Sequence, residues 1–357
     1  MKMRVFRCRG GICVSKIKEV AKQAGVSIAT VSRALNDSDL VSEETRKLVL
    51  DVAKQLNYSP NVKAKPTPPK NQELTIGVIV PDIATFYFGE LYKGISKVSH
   101  ENKVNVLLHE LYYHDTEKEG IAGALQVMQK SGVDGIILAS RYISEEYNEV
   151  LRRIKVPIVL ALGDHEKSKL PSFRIDDIRA SFDAVAYLAS RGHRRIGMIS
   201  APLHNVASGA WRLEGFKSAA SYYGLGITAE HIAYGDMRYE GGYAAMKELL
   251  SSRASTGITA VFAATDEMAV GAMRCIYDAG LHVPRDISVV GYDNLAISNM
   301  TTPKLTTISQ PFSDIGAESM RHLIGVLREP RKSFDEGSHF LPYKLIERES
   351  VAAVPKE

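Results

Sequence analysis

The chain has 357 residues, 45% of them hydrophobic and 24% charged, with a formal net charge of +4. That length and balance fit two or three folded domains, each able to bury a core, and exclude disordered or fibrous classes. The longest apolar runs, such as LTIGVIV at 74–80 and VDGIILA at 133–139, are strand-sized, so no membrane partner is expected. Three cysteines cannot build a disulfide framework and fit a reducing, cytoplasmic setting. Cys8 and Cys13 lack a second ligand pair at zinc spacing, so neither a metal nor another cofactor is expected.

The charge is unevenly spread. Residues 1–70 carry 14 basic and 6 acidic side chains, whereas the remainder carries 31 and 35. A basic head on a mildly acidic body points to a polyanion-binding module joined to something else. The first 14 residues, MKMRVFRCRGGICV, have no apolar core and make a poor secretory signal. They read either as a disordered basic arm or as an extension upstream of a start at Val14. Arg-Gly-Gly is what a purine-rich ribosome-binding sequence would spell if translated.

Three short helices are expected between residues 15 and 57. Ser15 can cap the first, whose Ile17, Val20, Ala21 and Ala24 share one face. Gly25 supplies a tight turn, and Ser27 caps a second helix running to about Asn36. Ser42 caps the third, with Glu43 and Glu44 in its first turn and Val49, Val52, Ala53 and Leu56 as its buried face. Two short helices joined by a glycine turn and braced by a third describe a helix-turn-helix. The second helix turns an acid-free face outward: Ser27, Ile28, Ala29, Thr30, Ser32, Arg33 and Asn36. Such a face suits a major groove, where acids are repelled, hydroxyls donate to phosphates and arginine forks onto guanine.

From Leu74 onward, strand-like runs alternate with amphipathic segments around 88–101, 117–131 and 181–191. The strands are LTIGVIV, VNVLLHE, GIILAS, PIVLA, RIGMIS, TAVFAA and SVVGYD. This alternation implies parallel sheets of βαβ units. Ligand sites of open α/β sheets lie at the carboxyl ends of strands. Asp293 ends SVVGYD, Asp176 ends SFRID and Asp266 ends TAVFAATD, while Arg212 opens a helix beside Trp211. Carboxylates and an arginine converging there suit a ligand with several hydroxyls. Nucleophile-elbow, P-loop, HExxH and dinucleotide-fingerprint motifs are missing, so catalysis is not expected.

The stretches KIKEVAKQAGVSIATVSRALN and VSEETRKLVLDVAKQLNYSPN closely resemble the DNA-binding head of the LacI/GalR transcriptional regulators. By position, the resemblance puts Ile28, Ala29 and Arg33 at base-reading sites. Ser27, Ser32, Asn36, Ser42 and Thr45 fall at phosphate-contacting positions, and Tyr58 and Asn61 join this DNA-binding set. It continues through the body in VPD, RGHRRIGMIS, WRLEGF, TDEMAVGAM, VPRDISVVGYDN and PKLTTISQP, most similar to catabolite control protein A-like members. It implies a two-lobed, periplasmic-binding-protein-like body with an effector cleft lined by Tyr87, Phe88, Asp176, Ser208, Arg212, Met237, Asp266 and Asp293. Met237 stands where relatives often carry an aromatic that stacks on the ligand. Family members continue from the head into a hinge helix with a minor-groove leucine. Here Thr67 occupies that place among Pro66, Pro68 and Pro69, which reads instead as an extended spacer.

The expected domains are an extension at 1–14, a helix-turn-helix domain at 15–59, a Pro/Lys-rich linker at 60–73 and an effector-binding, dimerising body at 74–357. The whole reads as a homodimeric repressor of carbohydrate-use genes that binds pseudo-palindromic operator DNA and answers to a sugar-like effector. The other readings are a regulator governed by a protein corepressor and a sugar-binding protein without operator function. Ala279 stands where catabolite control protein A-like members carry an arginine, which argues against their phosphorylated carrier protein as partner. Arg33→Ala should cost about 1–3 kcal/mol at one operator position and spare non-specific affinity, as read by binding across single-base operator variants. Equal weakening on all sequences would assign Arg33 to phosphate instead.

Overall fold

The computed structural model describes residues 17–35, 41–56, 73–111, 117–139, 142–166, 170–204, 206–330 and 335–354. The expected extension, most of the Pro/Lys-rich linker and the cap at Ser15 lie outside them. Contacts divide the chain into two units, residues 1–69 and 70–357.

In the first unit, α1 (Ile17–Ala24), α2 (Ile28–Leu35) and α3 (Glu43–Gln55) pack around Val20, Ala21, Ala24, Val31, Ala34, Val49, Val52 and Ala53. The sequence signals act locally. Gly25 takes φ +68°, a left-handed conformation that favours glycine. The Ser27 hydroxyl accepts from the Thr30 amide at 3.0 Å, and that of Ser42 from the Thr45 amide at 3.4 Å, so each satisfies an orphan donor of a first turn. Leu56 departs from expectation. It is the C-cap of α3 and only partly buried, packed at the margin of this small core.

The second unit is α/β. Its first lobe is built from β1 (Thr75–Val80), α4 (Phe86–Asn102), β2 (Asn105–Glu110), α5 (Glu117–Lys130) and β3 (Gly135–Ala139). It continues through β4 (Tyr142–Ile143), α6 (Asn148–Arg153), β5 (Ile158–Ala161), β6 (Asp164–His165) and β7 (Ser172–Arg174). The second lobe follows with α7 (Asp177–Ser190), β8 (Ile196–Ser200), α8 (Arg212–Tyr222), β9 (Ile232–Tyr234) and α9 (Tyr239–Ser251). Next come α10 (Arg253–Thr256), β10 (Ala260–Ala263), α11 (Asp266–Asp278), β11 (Ser288–Asp293), α12 (Ile297–Met300) and β12 (Thr306–Ser309). The chain then returns to the first lobe for α13 (Phe312–Arg328) and β13 (Ser338–Phe340), and ends in the second with β14 (Lys344–Ile346).

The first lobe holds a six-stranded sheet in the order β13-β7-β5-β3-β1-β2, parallel throughout. The second holds β14-β12-β11-β10-β8-β9, parallel except for β14. All seven expected strands are present. Strands such as β3, β8 and β10 are buried along their whole length, because helices cover both faces of a parallel sheet. The chain passes between lobes at 174–177, 309–312 and 340–344.

Where α4 meets α13 the backbones come very close. A Cβ on Gly94 would lie 1.8 Å from the Ser313 carbonyl oxygen, and one on Gly316 2.2 Å from that of Leu91. Gly94→Ala must push the two helices apart, so it should destabilise the body by about 3 kcal/mol and lower its melting temperature by several degrees in a thermal melt. An unchanged melting temperature would show that this seam yields freely.

Candidate functional site

In the head, α2 carries its outward face on a cap of two hydroxyls, Ser27 and Thr30, 2.8 Å apart. Ile28 is 44% exposed although the core lies one turn away, as befits a face meant for a partner. Ala29, Ser32 and Arg33 belong to the same helix, but their side chains lie outside the description. Ser42 and Thr45 sit at the start of α3 with their hydroxyls 2.9 Å apart. Asn36, Tyr58 and Asn61 fall outside the described residues.

In the body, the chemistry gathers around Arg212. A π-helical turn at Val206–Trp211 precedes α8 and sets Arg212 as its first residue, only 6% exposed. Its Nε donates to Asp177 Oδ1 at 2.9 Å, and its Nη1 donates to the Ala264 carbonyl oxygen at 2.5 Å. Nη1 also stands 3.7 Å from Asp293 Oδ1. The guanidinium lies 3.8 Å from the centre of the Tyr292 ring, and the Tyr292 hydroxyl donates to the same Asp177 oxygen at 2.9 Å. Burial alone would lower the pKa of Arg212. Tyr292, Asp177 and Asp293 outweigh burial and raise it, so the group stays charged.

Asp293 ends β11 at φ +120° and is 7% exposed. Gln310, in a crossing between lobes, donates to its Oδ1 at 2.8 Å. Burial pushes the Asp293 carboxyl up to about 7, against the pull of Arg212 and Gln310. Near neutrality it can therefore accept from a hydroxyl or donate to one. The Ser208 hydroxyl donates to the Met237 sulfur at 3.5 Å, which brings two of the expected effector residues together.

Four other expected effector residues are held by partners outside the Arg212 cluster. Asp266 is fully buried as the first residue of α11: its Oδ2 accepts from the Leu295 amide at 2.8 Å and its Oδ1 from Thr307 at 2.6 Å. Burial, and then Asp293, raise its pKa well above the usual carboxylate range. These two bonds tie Asp266 to the β11–α12 turn and to β12. Asp176 is the N-cap of α7 and accepts from the Arg179 amide at 3.0 Å, an exposed bond that satisfies the helix end. Phe88 is 7% exposed within the core of the first lobe, its ring 5.8 Å from that of Tyr92. Tyr87 is half-buried against Phe312, with ring centres 5.8 Å apart.

Asp177, not its neighbour Asp176, is the carboxylate that meets Arg212. The available signal was helical spacing, since Asp177, Ala180, Ser181 and Ala184 all face inward from α7. Four further residues pack together where the lobes meet. The Arg174 guanidinium, on the first lobe, lies 4.3 Å from the ring centre of Trp211 on the second and 4.6 Å from that of Phe340. Tyr142 meets Trp211 edge-on at 5.8 Å.

A helix-turn-helix head followed by a two-lobed body with a polar interlobe cleft defines a DNA-binding regulator controlled through its body. The comparisons agree. Residues 16–61 match the model of the bacterial regulatory proteins of the lacI family, and residues 185–351 match a periplasmic binding protein-like domain. Catabolite control protein A of Priestia megaterium is 36% identical over 335 residues, spanning 94% of this chain and 98% of that protein. A complex of the transcriptional regulator CelR with cellobiose superposes with a TM-score of 0.69 at 29% identity, covering 94% of this chain and 99% of that one. The lac repressor dimer bound to operator and the anti-inducer ONPF gives 0.70 at 27% identity, covering 95% and 100%. The chain belongs to the LacI family of transcriptional regulators.

The Asp293 carboxyl sets a pH dependence. Its ordinary value is near 3.8, and the folded chain holds it at about 7, so between these values the folded state binds the extra proton. The stability this contributes is complete below about pH 4 and is lost as pH rises through 7. Asp293→Asn should therefore gain on the wild type in urea melts as pH rises from 4 to 8, and Asp266, shifted the same way, keeps a residual slope in both. Parallel profiles would place the proton on another group.

Proposed function

We propose that this regulator is a cytoplasmic homodimer that represses carbohydrate-use genes and is switched by a sugar-like effector between its lobes. The observation that carries the reading is the junction of Arg212, Asp293 and Gln310. A carboxyl poised near neutrality stands on a buried guanidinium and is bonded to a chain crossing. A hydroxyl-rich ligand that engages Asp293 would act directly on the segment whose torsions set the lobe angle. Ser208 and Met237 supply a polar and a soft contact, and the family resemblance of the head supplies the DNA partner. Asp176, Asp266, Phe88 and Tyr87 support the walls in this reading. Two heads on a two-fold body would read a pseudo-palindrome, one recognition helix in each half-site. The reading needs no catalytic step.

CelR was solved with cellobiose, which makes that disaccharide the first probe, followed by other neutral mono- and disaccharides. A true effector should raise the melting temperature of the full chain in proportion to its occupancy. Asp293→Asn should weaken that response at least tenfold while leaving the fold intact. Arg212→Ala is a poor probe, because it strands Asp177 and Tyr292 in the core without their partner. If Asp293→Asn keeps full affinity for a sugar that stabilises the wild type, the effector site lies elsewhere.

A further inference from the structure

A second set of charges lies between the lobes, apart from the Arg212 cluster. Asp82 follows β1 in the first lobe, and Arg238 precedes α9 in the second. Both therefore stand at the carboxyl ends of strands, on facing lips of the cleft. Arg238 Nη2 donates to Asp82 Oδ2, an ion pair that bridges the two lobes. Each end is held in place from its own side. Asp82 Oδ1 accepts from the Ala84 amide at 2.7 Å, fixing the carboxylate in a tight turn. On the other lip, the Arg238 amide donates to Asp236 Oδ1 at 2.9 Å, and its Nη1 donates to Glu267 Oε2 at 3.4 Å. Glu267 is the more buried partner, 15% exposed, and steers the guanidinium from within the second lobe. Arg238 follows Met237, whose φ of +72° turns the backbone sharply at this lip.

We infer that Asp82 and Arg238 form a latch across the mouth of the cleft that holds the lobes together before any effector binds. Its ends belong to rigid turns, so little side-chain freedom is lost when the pair closes, unlike two unrestrained surface charges. The pair is about one-third exposed at each end, so salt weakens it. An effector must then enter while the latch is open, and a closed, latched body is the state it competes with or completes. The inference rests on the interlobe geometry alone and holds whatever the effector proves to be.

The chain contains one tryptophan, and it reports on this motion. Trp211 of the second lobe packs on Arg174 and Tyr142 of the first, so parting the lobes exposes its ring. The test is acrylamide quenching of Trp211 in the full chain without ligand, for the wild type, Asp82→Asn, Arg238→Gln and the double variant. Each single variant should raise the quenching constant, up to the roughly two- to fivefold shift expected for one partly exposed ion pair. The double variant should go no further than either single one, and 1 M salt should bring the wild type to the same level. Thermal melts of the same samples separate lobe opening from unfolding. Unchanged quenching in both single variants overturns the latch, and so do effects that add in full, because they show two residues acting separately.

Discussion

One buried positive charge organises the second lobe. Removing a guanidinium from water is tolerable only if anions and hydrogen-bond acceptors surround it, and Arg212 gathers them from three elements. Asp177 comes from α7, Tyr292 and Asp293 from β11, the Ala264 carbonyl from the β10–α11 turn, and the arginine itself from α8. Because each partner is needed to keep the charge satisfied, the network fixes the relative seating of those elements at the floor of the cleft. Burial raises Asp293 here, and Arg212, already committed to Asp177, pulls it back only in part. A carboxyl near neutrality is thus a by-product of structural bookkeeping, and it is also what a hydroxyl ligand can exploit.

From Asp293 the network leads out of the lobe. Gln310 belongs to one crossing and Arg174 to another, and Tyr343, in the third, donates to Asp183 of α7 at 2.6 Å. The first two tie a cleft side chain to a segment that both lobes share, and the third anchors the returning chain to the second lobe. A change at the floor therefore reaches the lobe angle through one or two hydrogen bonds, which gives the proposed coupling a short physical path. The Asp82–Arg238 pair acts on the same angle from the opposite lip.

Much of this was legible in the sequence, for local reasons. The head announces itself through Gly25 and the caps at Ser27 and Ser42, whose partners lie three residues away. The long strands announce themselves as apolar runs because both faces of the sheets are covered. Short strands such as β7, β9, β13 and β14 have only three residues each, too few for any periodicity. In the site, a rule that takes acids at strand ends chose Asp176 and Asp266, yet an acid in that place can equally cap a helix or brace a turn. The strand-end rule cannot separate Asp176 from Asp177, one bound to its own helix end and the other to Arg212; the inward spacing of α7 can. The pairing of Asp82 with Arg238, 156 residues apart, leaves no mark in either neighbourhood.

The threefold passage of the chain between the lobes has a consequence for how the protein is made. The sheet of the first lobe is completed by β13 at residues 338–340 and its face by α13, while that of the second is completed by β14 at 344–346. Neither lobe can be completed until residues 312–346 have left the ribosome. Until then β7 and β12 present bare edges, and the helix that covers the first sheet is missing, so nascent chains stay open to misassembly for most of synthesis. A truncation or frameshift that removes residues after 311 would therefore spoil both lobes at once, leaving the small helical head as the part that can still fold from local contacts.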